Sequence, residues 1–233
     1  MNALREECQQ LCDELIALRR EFHRTPELGL HEYHTAARIE RELDKCGIPH
    51  ERIGGETAVV ARLHGTGSGT GVCVLRADID ALPIQETNDV PYRSQTPGMM
   101  HACGHDAHTT CLLGAAKVLS AHRADFGGKV RFLFQPAEEG EHGADEVIAT
   151  GLVSDVDAFF GLHVWSLYPT GTLHATPGGI WAEPDMFKVT IHGKGGHGAT
   201  PEVCVDAITA GAAVVQSLQT IVSRFISPMD SVV

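Results

Sequence analysis

The sequence predicts an α/β fold in which a mostly parallel, twisted sheet is flanked by helices. Three observations predict it. Short apolar runs alternate along the chain with longer stretches whose apolar residues recur every three to four positions. The runs have strand length and are bounded by glycine and proline. Near residue 184 the pattern shifts to a two-residue period, a glycine-rich loop and a long helix, which predicts a second, smaller α+β domain. The expected domains are therefore 1–183 and 184–233.

In order, the first segment reads as a helix, because Leu4, Leu11, Leu15, Leu18 and Phe22 fall on one face and Pro26 ends it. A second helix is expected from about Glu32 to Cys46, with Ala36, Ile39 and Leu43 as its stripe and Gly47 at the position after its end. The runs Ala58 to His64 and Val72 to Ala77 read as strands. Between them lies a glycine-rich loop, Gly65 to Gly71. A strand follows it, so the phosphate-binding arrangement of loop and helix is absent, and a hairpin loop is expected. Asp106 to His122 reads as a helix with Asp106 as N-cap. A strand at Lys129 to Phe134, a helix at Ala144 to Thr150 closed by Gly151, and a strand at Asp157 to His163 follow. Met186 to His192 reads as a strand, Val203 to Phe225 as a helix, and the last residues as another strand beginning.

Composition narrows the function classes. With 43% hydrophobic and 21% charged residues, 233 residues suffice for a buried core. A formal net charge of -12 disfavours nucleic acid as a partner. No apolar run approaches the ~18 residues of a membrane span. The polar N-terminus does not resemble a secretory signal, so the cytosol is the expected compartment. Seven cysteines at irregular spacing do not form a disulfide framework. Fourteen histidines justify a search for metal ligands.

Four places stand out: Asp78-Ile-Asp80, His101-Ala-Cys103-Gly-His105, Glu138-Glu139 and His163. Three of them end or follow an expected strand, and carboxyl ends of parallel strands line the ligand crevice of open sheets. Cys103 and His105, one glycine apart, can reach the same ion; thiolate, imidazole and carboxylate suit zinc, with cobalt, nickel or manganese as further choices. Neighbouring residues in extended chain point to opposite sides, so one of Glu138 and Glu139 can bind metal while the other faces water. A metal lowers the pKa of water towards ~7, and the second carboxylate removes the proton. The bland alternatives are a solvated acid pair at Glu138-Glu139, a core histidine at His163, an exposed loop acid at Asp80 and a loop histidine at His197.

Five segments occur in order: LRADIDALPI, PGMMHACGHDAHT, FLFQPAEEG, FGLHVW and GKGGHGATP. From about Leu18 to Val233 the chain resembles the aminoacylase, hippurate hydrolase and auxin-conjugate hydrolase branch of the dinuclear metallopeptidase-like amidohydrolases. The resemblance implies a zinc-exopeptidase-like catalytic domain carrying a lid or dimerisation domain. It implies Cys103, His105, Glu139 and His163 as metal ligands, Glu138 as general base, and Asp80 as an acid that orients the site. It implies that His197 on the lid reaches a neighbouring subunit's site and steadies the oxyanion. Two divalent ions per site (zinc, manganese, nickel or cobalt), a small N-acyl amino acid substrate, no membrane partner and a homodimer through the lid follow from the same likeness. It also implies a longer chain that returns to complete the catalytic domain and supplies another histidine ligand. This sequence stops before those segments, so a fragment or a partner-dependent chain is expected. The rivals are a metal-binding fragment without catalysis, a thiol hydrolase using Cys103, and a zinc deaminase. The last needs a C-x-x-C that the sequence lacks.

Overall fold

The computed structural model describes residues 2–181, 185–230 and 232. They form two compact units, Met1–Leu167 and Tyr168–Val233. The domain change expected at residue 184 lies outside the described residues.

The first unit is a five-stranded mixed sheet with helices on both faces. Its helices are α1 (Asn2–Gln10), α2 (Cys12–Arg24), α3 (Tyr33–Lys45), α4 (His105–Ala121) and α5 (Gly143–Ala149). Its strands are β1 (His50–Ile53), β2 (Ala58–His64), β3 (Val72–Asp78), β4 (Lys129–Gln135) and β5 (Ala158–Gly161), in the order β1-β2-β4-β3-β5. β3 runs parallel to both β4 and β5, while β2 is antiparallel to β1 and β4. β1 had no counterpart among the expected strands.

Alternation along β2 shows why both faces are covered. Val59, Ala61 and Leu63 join Phe132 and Phe134 of β4 beneath Leu18, Phe22, Ile39, Leu43, Leu112 and Leu113 of α2, α3 and α4. Ala58 and Val60 turn the other way and meet Leu133 and Val147 of α5. The expected first helix is interrupted at Leu11, and Leu4 is exposed. α3 ends as its sequence suggests. Gly47 has φ +61, its N–H donates to Asp44 O at 2.9 Å, and Ile48 N–H donates to Leu43 O at 3.1 Å.

Two local expectations fail for identifiable reasons. The glycine loop does not close a hairpin, because β4 lies between β2 and β3. Instead it runs against residues 126–128, with Gly65 N–H donating to Gly128 O and Gly67 N–H to Phe126 O. A Cβ on Gly65 would lie 2.2 Å from Phe126 O, so backbone crossing backbone explains the glycine there. The N-cap of α4 is Gly104 at φ +88, not Asp106. Asp106 sits inside the first turn, buried, where it accepts from His23 Nδ1 at 2.6 Å and forms an ion pair with Arg19 Nε at 3.0 Å.

In the second unit a 3₁₀ turn at Pro201–Val203 precedes α6 (Ala207–Thr220), which continues as a π-helical turn over Ile221–Phe225. Asp206 Oδ1 caps α6 by accepting from Ile208 N–H at 2.9 Å and Thr209 N–H at 3.1 Å. The helix therefore starts later than expected, since Val205 is engaged in a bridge with Lys194. Residues 186–192 alternate as a strand does but form no ladder among the described residues. Residues 227–230 form a turn instead of the expected strand, and 231 and 233 lie outside the described residues. No helix among the described residues is long and apolar enough to cross a membrane.

Candidate metal centre

Three neighbouring parallel strands end on the same side of the sheet. Asp78 closes β3 opposite Gln135 of β4, and Arg76 lies opposite Gly161, the last residue of β5. The segments that follow carry Asp80, then Glu138-Glu139, then His163. α4 starts over the same edge and brings Cys103 and His105. Gly104 makes that start possible: its positive φ turns the chain, and a Cβ there would lie 2.4 Å from Val164 Cγ2.

Side-chain donors gather in overlapping groups, each with ligand atoms within 4.8 Å of one another: Cys103, His105 and His163; His105, Glu138 and Glu139; Asp78, His105 and His108. Cys103 Sγ lies 3.4 Å from His163 Nε2. His105 Nδ1 is 3.0 Å from Asp80 Oδ1, and Asp80 Oδ2 accepts from Glu139 N–H at 2.9 Å. Asp80 thus ties the imidazole to the two-acid turn. Across the ring, His105 Nε2 lies 3.7 Å from Asp78 Oδ2, 3.9 Å from Glu138 Oε2 and 3.7 Å from Glu139 Oε1.

The electrostatics are those of a pocket with surplus negative charge. Burial first, then Glu139, Glu138 and Asp78, push the Cys103 thiol up to about 12. Burial raises the Glu138 carboxyl; His105 opposes that, while Glu139, Asp78 and Asp80 add to it. For His105, burial disfavours the charged ring, but Asp80 and Asp78 outweigh it and raise the pKa. Asp78 goes the other way. Burial opposes its charge, yet His108, Arg76 and His105 hold it at about 2.

These residues fit a divalent cation. His105 Nε2 is buried, has no hydrogen-bond partner among the described residues and faces three carboxylates. A cation would complete that nitrogen and offset the charge that keeps the thiol protonated. One sulfur, imidazole nitrogens and carboxylate oxygens form a borderline donor set of the kind that zinc, cobalt and nickel accept.

The structure therefore brings together Cys103, His105, Glu138, Glu139, Asp80 and His163. His197 belongs to the second unit, where it is exposed, its Nδ1 accepts from Ala199 N–H at 3.1 Å, and it joins none of the three groups. Two residues of the neighbourhood went unassigned in the sequence. Asp78 was seen beside Asp80 without a role of its own. His108 was missed, although three residues after His105 on a helix means a shared face. His101, in the same motif as Cys103, is buried with both ring nitrogens unpartnered among the described residues, and burial lowers it to about 4.

The chain is 46% identical over 219 residues to IAA-amino acid hydrolase ILR1-like 5 of Arabidopsis thaliana, covering 94% of this chain and 50% of that one. It is 45% identical over 234 residues to an N-acyl-L-amino acid amidohydrolase of Geobacillus stearothermophilus, covering 98% of this chain and 63% of that one. The chain thus spans about half to three-fifths of the length of these relatives. Among solved structures it resembles the Bacillus subtilis YXEP protein, described as a dinuclear metal binding peptidase, at TM-score 0.64 and 43% identity over 66% of this chain and 44% of that one. A protein from methicillin-resistant Staphylococcus aureus matches at TM-score 0.83 and 35% identity over 99% of this chain and 62% of that one. Residues 74–229, which contain every member of the three donor groups, match peptidase family M20/M25/M40, and the chain belongs to that family.

Proposed function

We propose that this chain is part of a metal-dependent hydrolase that cleaves the amide bond of N-acyl amino acids. The observation that carries the reading is the meeting of a thiol, two imidazoles and a carboxylate pair at the ends of β3, β4 and β5. The relatives' names, which specify N-acyl-L-amino acids and IAA-amino acids, supply the substrate class. Cys103, His105, Glu139 and His163 would hold the metal, as two zinc, manganese, nickel or cobalt ions per site. A bound divalent cation supplies Lewis acidity towards the amide carbonyl and acidifies water.

The remaining roles belong to the chain's own residues. Glu138, whose carboxyl is raised and half exposed, takes a proton from the attacking water and returns it to the leaving amine. Asp80 is a positioning residue that fixes the His105 ring through Nδ1. Residues 1–183 act as the metal-binding part and 184–233 as the first part of a lid that pairs two subunits. His197 then steadies the developing oxyanion in the neighbouring site. Seven free thiols support a cytosolic setting.

The test is Glu138→Ala in the purified protein, with metal content and turnover of hippurate and N-acetyl amino acids measured together. Metal should persist while turnover falls about 100-fold or more. Undiminished turnover would contradict the proposal. A second reading is a metal-binding or partner-dependent chain without catalysis of its own. Full metal uptake with no hydrolysis by the unaltered chain would support that reading.

A further inference from the structure

His108 is absent from the proposed mechanism, yet it is buried at the centre of the site and belongs to a possible metal group with Asp78 and His105. Its hydrogen bonds decide between ligand and support. Val164 N–H lies 2.9 Å from His108 Nε2. A backbone N–H only donates, so Nε2 is the accepting, unprotonated nitrogen, and the ring proton sits on Nδ1. That nitrogen faces Asp78 Oδ1 at 2.5 Å. Asp78 is held in turn by Arg76, whose Nη1 donates to Oδ2 at 2.8 Å. Both His108 nitrogens are therefore committed.

The other end of this chain of contacts matters more. The β3–β5 ladder stops at Arg76 opposite Gly161, so His163 sits on extended chain beyond the sheet. The His163 ring is oriented by Nδ1, which donates to Val164 O at 2.6 Å and turns Nε2 towards Cys103. Val164 thus aims His163 through its carbonyl, while its own N–H is gripped by His108. The His108 and His163 rings lie 4.5 Å apart, edge to face.

We propose that His108 is a positioning residue and not a metal ligand. Asp78 locks its tautomer, and it fixes the Val164 peptide so that His163 Nε2 points into the metal pocket. The proposal rests on the reading of His163 as a ligand.

The experiment uses the chain with ¹⁵N-labelled histidine, titrated with Zn²⁺ and followed by ring-nitrogen NMR and by calorimetry. Zinc should move the Nε2 resonances of His105 and His163 and leave His108 with its proton on Nδ1. In calorimetry, His108→Gln retains an acceptor for Val164 N–H and should bind zinc within about threefold of the parent. His108→Leu fills the space without an acceptor and should bind about 10- to 100-fold more weakly, the usual cost of removing an outer-shell partner. His163→Gln is the control on the underlying reading. If His163→Gln binds zinc like the parent, or the parent takes up none, the ligand reading fails and the proposal fails with it. If His163→Gln binds weakly while His108→Leu matches the parent, the proposal alone is overturned. A zinc-induced shift of His108 Nε2 also overturns it, because His108 would then be a ligand. That NMR result needs no variant, so it decides the matter even if His108→Leu does not fold.

Discussion

Ala137 stands immediately before Glu138-Glu139 with φ +51, the left-handed region that costs an L-residue about 1–2 kcal/mol. Its surroundings hold it there. Glu32 Oε1 accepts from Ala137 N–H at 2.8 Å, and Gly143 N–H donates to Ala137 O at 3.0 Å. Both Glu32 and Ala137 are fully buried. Burial raises the Glu32 carboxyl, against the opposing backbone N–H groups of Glu32 itself and of Ala137. Glu32 therefore braces the turn that aims the two acids. Glu32→Ala should lose about 2 kcal/mol of stability in urea unfolding, because a buried N–H is left without its acceptor. Glu32→Gln, which keeps an accepting oxygen, should lose less than half as much. Equal losses would mean that the hydrogen bond to Ala137 contributes nothing. No local pattern in the sequence gives this contact away, since Glu32 and Ala137 are 105 positions apart. By contrast, Glu138 and Glu139 were legible as a pair because they follow an apolar run directly.

At the scale of elements, Glu42 on α3 ties three helices together. It meets Arg38 and Lys45 on its own helix and, at 2.9 Å, Lys117 of α4, which also pairs with Glu14 of α2. Burial disfavours the Glu42 charge, but Lys45, Lys117 and Arg38 outweigh it and bring the pKa from 4.5 to about 2. A depressed folded-state pKa means that the unfolded chain takes up the proton first. The stabilisation is therefore complete above about pH 4.5 and disappears as the pH falls towards 2. Glu42→Gln should cost about 3 kcal/mol at pH 7, and its gap from the parent should close between pH 4.5 and pH 2 in urea titrations. A gap independent of pH would contradict this account. The helices themselves were readable from their apolar stripes and from Gly47, but their connections to the sheet were not. The hairpin inference for residues 65–71 failed because sequence adjacency says nothing about β4 entering between β2 and β3. The N-cap assignment to Asp106 failed because His23 and Arg19, far away in sequence, claim that carboxylate.

At the scale of the whole molecule, the site depends on the strand order. β4, β3 and β5 are parallel neighbours, so three separate stretches deliver their side chains to one edge, while the first residue of α4 adds an imidazole and the turn just before it a thiol. The residue types and their order along the chain were legible because each motif follows a strand-like run. Their convergence required the pairing of β3 with both β4 and β5, which periodicity does not encode. The second unit was the least legible part: residues 186–192 alternate like a strand, yet alternation makes a strand only where a neighbour completes the ladder. The most direct test of the central claim is a Co²⁺ titration of the purified chain, read by its absorption spectrum beside that of Cys103→Ser. The account predicts a thiolate-to-cobalt charge-transfer band that saturates in the parent and is missing in Cys103→Ser. Cobalt bound without that band, or the same band in both proteins, would show that the Cys103 sulfur does not face the metal and would contradict the account.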